Sequence, residues 1–123
     1  MKNMKSISSV LIIDNNEIDT FVSTKILKEI GVKKIKAIKS VTEAIQYLSS
    51  TSVKYELILV ELNLPVKNGF DFISEFIELD LKDKQSQIVL ISAFFSPNDI
   101  ENITSFKLRS TLKPITINFL NNF

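Results

Sequence analysis

The sequence predicts an α/β domain built on a parallel sheet, and two observations carry this prediction. Short apolar runs alternate along the chain with segments in which apolar residues recur at helical spacing. Four of the apolar runs also end in a polar residue, namely Asp14, Glu61, Ser92 and Lys113. Strands that are separated by helices pair in parallel through right-handed crossovers. Their carboxyl ends then lie at one edge of the sheet, where open α/β sheets place their ligand sites.

The first strand–helix unit begins with the apolar run Val10–Asp14. A short run without polar interruption is typical of a central parallel strand that is buried on both faces. Helical spacing then continues as far as Gly31, which suits a helix C-cap. The apolar positions of this helix are Ile18, Phe21, Val22, Leu27 and Ile30.

The second unit begins with Lys34–Lys39, which alternates and predicts an outer strand with Ile35 and Ala37 on one face. The segment Ser40–Glu43 has the capping-box pattern and predicts the start of a helix. The apolar face of that helix consists of Ala44, Ile45 and Leu48.

The second half of the chain repeats the pattern. It predicts strands at Leu57–Glu61, Ile88–Ser92 and, more weakly, Arg109–Leu112. A third helix has Phe72, Ile73, Phe76 and Ile77 as its apolar positions. A fourth helix starts with Ser96 as N-cap and Pro97 at the first helical position. It should be short, because Ile100 and Ile103 are its only strong apolar positions before Phe106. The segment Ile115–Phe123 has room for about two turns of a last helix.

Composition limits the possible function classes. The chain has 123 residues, so we expect one domain over residues 1–123. The net charge of +1 gives no reason to expect binding to nucleic acid or membranes, and the N-terminus lacks a signal peptide, so we expect a cytoplasmic protein. The chain contains no cysteine and no histidine, which excludes thiol chemistry and the commonest general base. With two glycines it has no phosphate-cradling loop.

The order and spacing of four motifs resemble the receiver domain of bacterial two-component response regulators. The motifs are Asp14-Asn15-Asn16, Glu61-Leu62-Asn63-Leu64-Pro65 with Gly69, Ser92-Ala93 and Lys113-Pro114. The resemblance covers roughly residues 8–120 and implies a flavodoxin-like doubly wound sheet of five parallel strands in the order 2-1-3-4-5. The Lys-Pro peptide bond is often cis in that family, whereas the general frequency of cis X–Pro bonds, about 5–6%, argues for trans.

The resemblance also implies a phosphorylation site that binds Mg²⁺. It places the phosphoacceptor at Glu61, the metal ligands at Asp14, Asn15, Glu61 and the carbonyl of Asn63, and the phosphoryl contacts at Ser92 and Lys113. Taken singly, each residue has a simpler interpretation: a helix cap for Asp14, a strand-end surface residue for Glu61, and a loop cap for Ser92. The functional interpretation depends on their convergence at one edge of the sheet.

The sequence departs from the family at positions that matter for chemistry. Glu61 stands where the family has the aspartate that accepts the phosphoryl group, and Asn15 stands where it usually has a second acid. Ser110 occupies the position of an aromatic switch residue. We therefore expect weak Mg²⁺ binding, because the site has about two negative charges instead of three. Of the adjacent rings Phe94 and Phe95, we expect one in the core and consider the other a candidate partner contact.

Three functional hypotheses follow. The first is a non-enzymatic receiver-like signalling module that binds a protein partner, such as a sensor histidine kinase or a downstream effector, without depending on phosphorylation. The second is a working phosphorelay receiver that is still phosphorylated in the acidic pocket. The third, which the lack of histidine and cysteine disfavours, is a phosphatase-like enzyme on the same fold.

Overall fold

Strands and helices alternate along the whole described chain in the computed structural model, which describes residues 7–79 and 86–123. Their order is β1 (Ser9–Ile13), α1 (Glu17–Glu29), β2 (Lys34–Ile38), α2 (Val41–Ser50), β3 (Leu57–Glu61), α3 (Gly69–Glu78), β4 (Gln87–Ser92), α4 (Pro97–Ser105), β5 (Arg109–Leu112) and α5 (Ile117–Asn121). The five strands form one sheet in the order β2-β1-β3-β4-β5, and every neighbouring pair is parallel. The predicted fold class and strand order are confirmed.

The register of the sheet brings the strand ends together. Glu61 pairs with Ile91, and Ser92 pairs with Leu112. Backbone hydrogen bonds continue beyond the strands, because the Lys113 N–H donates to the Ser92 carbonyl at 2.8 Å and the Asp14 N–H donates to the Ile38 carbonyl at 2.9 Å. These bonds fix the backbone from which the polar side chains at the carboxyl edge project.

Two apolar layers cover the sheet, one on each face. One layer contains Leu11, Ile58, Phe72 and Leu90, with contributions from α2, α3 and α4. The other contains Val10, Ile12, Leu59 and Val89, with contributions from α1 and α5. All residues of β1 and β3 are buried, as expected for central parallel strands with helices on both faces. Within the described ranges, no helix has the length and apolar character that crossing a bilayer requires.

Two of the predicted apolar positions of α1, and one apolar residue of β2, do not pack into the core. Ile18 and Phe21 are 74% and 67% exposed, and the buried residues of α1 are Ser23 and Leu27. Apolar residues lie on more than one side of this helix, so their spacing alone could not identify the side that packs on the sheet. In β2, Ala37 is exposed and Ile38 is buried, because this edge strand is covered on only part of each face.

The last two helices also differ in detail from expectation. The helix α4 is short, as predicted, but Ile103 is its buried residue while Ile100 is 53% exposed. The helix α5 has five residues, somewhat more than one turn instead of about two. The Lys113–Pro114 peptide bond is cis, as the resemblance implied and contrary to the general frequency.

Gly69 allows α3 to start against the end of β3. Its N–H donates to the Leu62 carbonyl at 2.9 Å, and a Cβ atom at this position would lie 2.6 Å from Leu90 Cδ2 and 3.0 Å from Leu62 Cα. The helix can therefore approach the Glu61–Asn63 backbone only if this position has no side chain.

We predict that Gly69→Ala lowers the free energy of unfolding by about 1–3 kcal/mol, because the added methyl group overpacks a site bounded by backbone. Urea unfolding of the variant measures this loss. Ser74→Ala, at an exposed position of the same helix, is the control and should not destabilise the protein. An unchanged urea midpoint for Gly69→Ala would show that Leu90 moves aside without cost.

Candidate functional site

Four segments deliver charged side chains to the carboxyl edge of the sheet. Asp14 follows β1, Glu61 ends β3 and Lys113 follows β5, while Asp19 comes from the first turn of α1. Asp14, Glu61 and the Lys113 side chain are nearly buried, and Asp19 is partly exposed. The predicted clustering of Asp14, Glu61 and Lys113 is thus confirmed, and Asp19 is a member that the sequence analysis missed.

The Lys113 ammonium is the centre of this cluster. Its Nζ lies 2.7 Å from Asp14 Oδ2, 2.9 Å from Asp19 Oδ2 and 2.5 Å from Glu61 Oε1. Burial by itself lowers the pKa of Lys113, but the hydrogen bonds that its ammonium donates to Asp14, Glu61 and Asp19 outweigh this effect and raise the pKa above its ordinary value. The lysine is therefore a fixed cation at neutral pH.

Asp19 reaches Lys113 because the cap of α1 differs from the caps of α3 and α4. In α3 and α4 the aspartate at the third helical position accepts from the backbone N–H of the N-cap residue, which completes a capping box. In α1 the corresponding N–H of Asn16 donates to Asp14 Oδ1 at 3.0 Å. The Asp19 carboxylate is thereby released from this role and binds Lys113. The sequence signal that could have identified Asp19 is its position three residues after the N-cap residue Asn16.

The second oxygen of Glu61 is held by the loop that follows β3. Glu61 Oε2 accepts from the backbone N–H of Asn63 at 2.7 Å. The Asn63 side chain extends away and donates through Nδ2 to Ser92 Oγ at 3.1 Å. Ser92 Oγ also donates to the Phe94 carbonyl at 2.9 Å. Ser92 is therefore bound to Asn63 and Phe94, and Glu61 is bound to Lys113 and Asn63.

These residues do not form a ready metal site. Asn15 is exposed, and the described residues include no group of three or more histidine, cysteine, aspartate or glutamate side chains arranged to hold a metal ion. Both oxygens of Asp14 and both oxygens of Glu61 already accept hydrogen bonds or ion pairs. The point at which the carboxylates converge is occupied by the ammonium of Lys113. The donor set therefore does not fit Mg²⁺ without rearrangement.

Exposed apolar residues lie on the loops next to this cluster. Phe94 is 68% exposed, whereas Phe95 packs against the core, as expected for the pair. Val66, in the loop after β3, is fully exposed at a φ of 67°, which is unfavourable for a β-branched residue. Ser110, in β5, is partly buried and provides no aromatic ring. The carboxyl edge thus combines a cluster of three carboxylates around one lysine with two exposed apolar side chains.

We predict that removing the charge of Lys113 lowers the free energy of unfolding far more than removing the charge of Glu61. Lys113→Met leaves three carboxylates without their partner and should lower the free energy of unfolding by about 3–5 kcal/mol. Glu61→Gln should cost less than about 2 kcal/mol, because Asp14 and Asp19 still pair with Lys113 and the repulsion between Glu61 and these two acids is lost. Urea unfolding of both variants tests this order, and the reverse order would contradict it.

The control is Lys67→Met, which removes the more exposed 2.8 Å ion pair with Glu75 and should leave stability nearly unchanged. The pH dependence gives a second check. Because the folded pKa of Lys113 is raised, its stabilisation is fully present below the unfolded value of 10.5 and is lost as pH rises through the folded value. The stability difference between wild type and Lys113→Met should therefore stay constant near neutrality and decrease in strong alkali.

Comparison with known proteins connects this arrangement with a family. Residues 10–121 match the model of the response regulator receiver domain. A two-component response regulator from Cytophaga hutchinsonii is 28% identical, with a TM-score of 0.84 over 94% of this chain and 92% of that one. The autoinducer 1 sensor kinase/phosphatase LuxN of Vibrio campbellii is 29% identical over 91% of this chain, and hybrid signal transduction histidine kinase D of Dictyostelium discoideum is 24% identical over 98%.

The chain spans only 12% of the LuxN sequence and 8% of the Dictyostelium kinase, so the likeness to both concerns one segment of each. The family model, by contrast, covers nearly the whole chain, and the strand order agrees with it. This chain belongs to the response regulator receiver domain family, the signalling modules of two-component systems.

Proposed function

We propose that this chain is a single receiver-like domain, over residues 1–123, that signals by binding a protein partner and has lost or nearly lost phosphoacceptor activity. The observation that supports this proposal is that both carboxylate oxygens of Glu61 have a partner within the protein. One of its carboxylate oxygens contacts the Lys113 ammonium and the other accepts from the Asn63 N–H. Each contact stabilises the carboxylate anion and fixes its orientation, which makes both oxygens weaker nucleophiles toward a phosphorus atom.

Geometry adds a second argument against efficient phosphorylation. Glutamate is longer than aspartate by one methylene, which moves the carboxylate by about 1.5 Å. A misplacement of about 1 Å can cost on the order of 100-fold in a positioned reaction. Glu61 Oε1 contacts the Lys113 ammonium directly, and this contact imitates in part the one that a phosphoryl oxygen would make.

The metal requirement gives a third argument. Receiver domains commonly bind Mg²⁺. In this chain Asp14, Glu61 and the Asn63 carbonyl would be its ligands, and Asn15 could contribute only a neutral amide oxygen. A bound divalent cation would neutralise charge on a transferring phosphoryl group. Lys113 already supplies a positive charge between the two carboxylates, so we propose that Mg²⁺ binds weakly and is not needed for the folded arrangement.

The exposed side chains of Phe94 and Val66 support a role in protein binding. They lie on the loops after β4 and β3, next to the carboxylate–lysine cluster. Aromatic side chains are enriched at the energetically important positions of protein interfaces. We propose that this edge contacts a sensor histidine kinase or a downstream effector of a two-component system.

We predict weak Mg²⁺ binding with little conformational response. NMR titration of the wild-type protein measures both quantities. The reason is that Asp14 and Glu61 would have to exchange their contacts with Lys113 for contacts with the metal. Saturable binding at Mg²⁺ concentrations below about 1 mM would show that two carboxylates suffice.

We predict that Glu61→Asp together with Asn15→Asp creates a protein that a small phosphodonor phosphorylates in the presence of Mg²⁺. The first change returns the acceptor carboxylate to the shorter reach, and the second supplies another acid. Each single change should give less product than the pair, because both act on one site and are expected to be more than additive. Mass spectrometry detects one added phosphoryl group that mild base removes.

The wild-type protein is the decisive comparison in this assay. Ready phosphorylation of the wild type would favour the working-phosphorelay hypothesis over the proposal. Turnover of a generic phosphoester by the wild type would favour the enzyme hypothesis. An inert but folded double variant would place the defect elsewhere, with Ser110 and the position of Lys113 as the next candidates.

A further inference from the structure

The contacts of Lys113 use the whole donor capacity of its ammonium group. A lysine ammonium has three N–H donors and no acceptor. Three carboxylate oxygens lie within hydrogen-bond distance of Nζ, at 2.5, 2.7 and 2.9 Å, and they belong to Glu61, Asp14 and Asp19. Every donor is therefore directed to an acid of the protein itself. Another anionic group can bind Lys113 only if one of the three carboxylates leaves.

Asp19 is the carboxylate best placed to leave. Its side chain is 37% exposed, whereas those of Asp14 and Glu61 are 2% and 10% exposed. Asp14 and Glu61 are also fixed by accepting the backbone N–H groups of Asn16 and Asn63. Asp19 stands on the first turn of α1, on a different element from the strands that hold the other two acids. Its contact with Lys113 can therefore break without disturbing the end of β1 or β3.

Asp19 also stands at the entrance to the lysine. A cleft of about 330 Å³ reaches Lys113 from the surface, and its lining includes Asp19, Ser23, Ala93 and Pro114. A small anion that enters this cleft meets the Asp19 carboxylate next to the ammonium. Like charges at short range repel, so the carboxylate both occupies a lysine donor and disfavours the approach of a competitor.

We propose that Asp19 is a positioning residue that holds the Lys113 ammonium against Asp14 and Glu61 and withholds it from anionic groups entering the cleft. This role does not depend on whether Glu61 accepts a phosphoryl group, so it stands apart from the function proposed above. It follows from the altered cap of α1, in which Asp14 takes the Asn16 N–H and releases Asp19.

The experiment measures how fast each lysine amine of the intact protein reacts with an acylating reagent at fixed pH, by peptide mass spectrometry. The rate reports how fully the carboxylates engage the Lys113 nitrogen, because an amine whose N–H groups are all bound to carboxylates is shielded from the reagent. Asp19→Asn keeps the shape of the side chain and removes its charge. Loss of the Asp19 contact, at the side of Lys113 that faces the cleft, should accelerate Lys113 acylation about five- to tenfold relative to Lys107.

The matched control is Asp71→Asn. Asp71 occupies the same helical position in α3, also three residues after a capping asparagine, but its carboxylate completes a capping box and does not contact Lys113. The Asp71→Asn variant should therefore leave the acylation rate of Lys113 unchanged. Asp19→Glu keeps the charge and should restore slow acylation. Urea unfolding of all three variants identifies any effect that comes from general loss of structure.

Inorganic phosphate provides the second readout. In Asp19→Asn, phosphate should slow Lys113 acylation by binding the released donor, whereas it should have little effect on the wild type. Equal Lys113 rates in wild type and a folded Asp19→Asn would overturn the proposal. Equal phosphate protection of the two proteins, or none in the variant, would also overturn it. Accelerated acylation of all lysines would show that Asp19 acts only through general stability.

Discussion

The shared ion contacts of Lys113 connect four separate parts of the chain. One ammonium joins the end of β1, the first turn of α1, the end of β3 and the residue after β5. Charges placed in a nearly buried site lose several kcal/mol of hydration each, and this loss is recovered only when the geometry satisfies their hydrogen-bonding groups. Here each oxygen of Asp14 and Glu61 has a partner, and no buried side-chain polar atom among the described residues lacks one. The cluster is therefore compatible with burial although carboxylates outnumber the lysine.

The Lys113 ammonium supplies a positive charge between Asp14 and Glu61 that is part of the protein itself. Receiver domains commonly bind Mg²⁺. In this chain the longer Glu61 side chain reaches Lys113, and Asp19 completes the set of acids around the same nitrogen atom. A lysine cannot replace a metal in bridging an acceptor and a phosphoryl group, since it has donors only and no coordination sites. The contacts of Lys113 therefore hold the ends of the strands together without a metal ion.

The two halves of the site differ in how firmly the fold holds them. Asp14 directly follows β1 and Glu61 ends β3, and these two central strands are buried along their whole length. Lys113 follows the edge strand β5, whose four residues are partly or fully exposed. Its backbone is attached to the sheet by the hydrogen bond from the Lys113 N–H to the Ser92 carbonyl. The acids are thus held by the core, whereas the position of the lysine depends more on the ion contacts themselves.

The sheet and the position of the site could be predicted from local sequence patterns. Apolar runs separated by helical segments predicted the strands, and polar residues after those runs identified Asp14, Glu61, Ser92 and Lys113 at one edge. This succeeded because strand burial and crossover direction follow from local pattern. Family resemblance was needed for the strand order, because several orders satisfy the same periodicity.

Packing between the elements determines which side of each helix is buried and which ion pairs form. The spacing of Ile18 and Phe21 fits a helix, but the packing of α1 on the sheet left both exposed. Asp19 was overlooked because its carboxylate had a local use, a capping box, that competed with the long-range one. Asp19 is free to bind Lys113 because Asp14 accepts the Asn16 N–H in its place. The fold also brings Lys113, which lies 94 residues after Asp19 in the sequence, next to α1. Contacts between residues so far apart are set by how the elements pack, and local sequence does not contain that information.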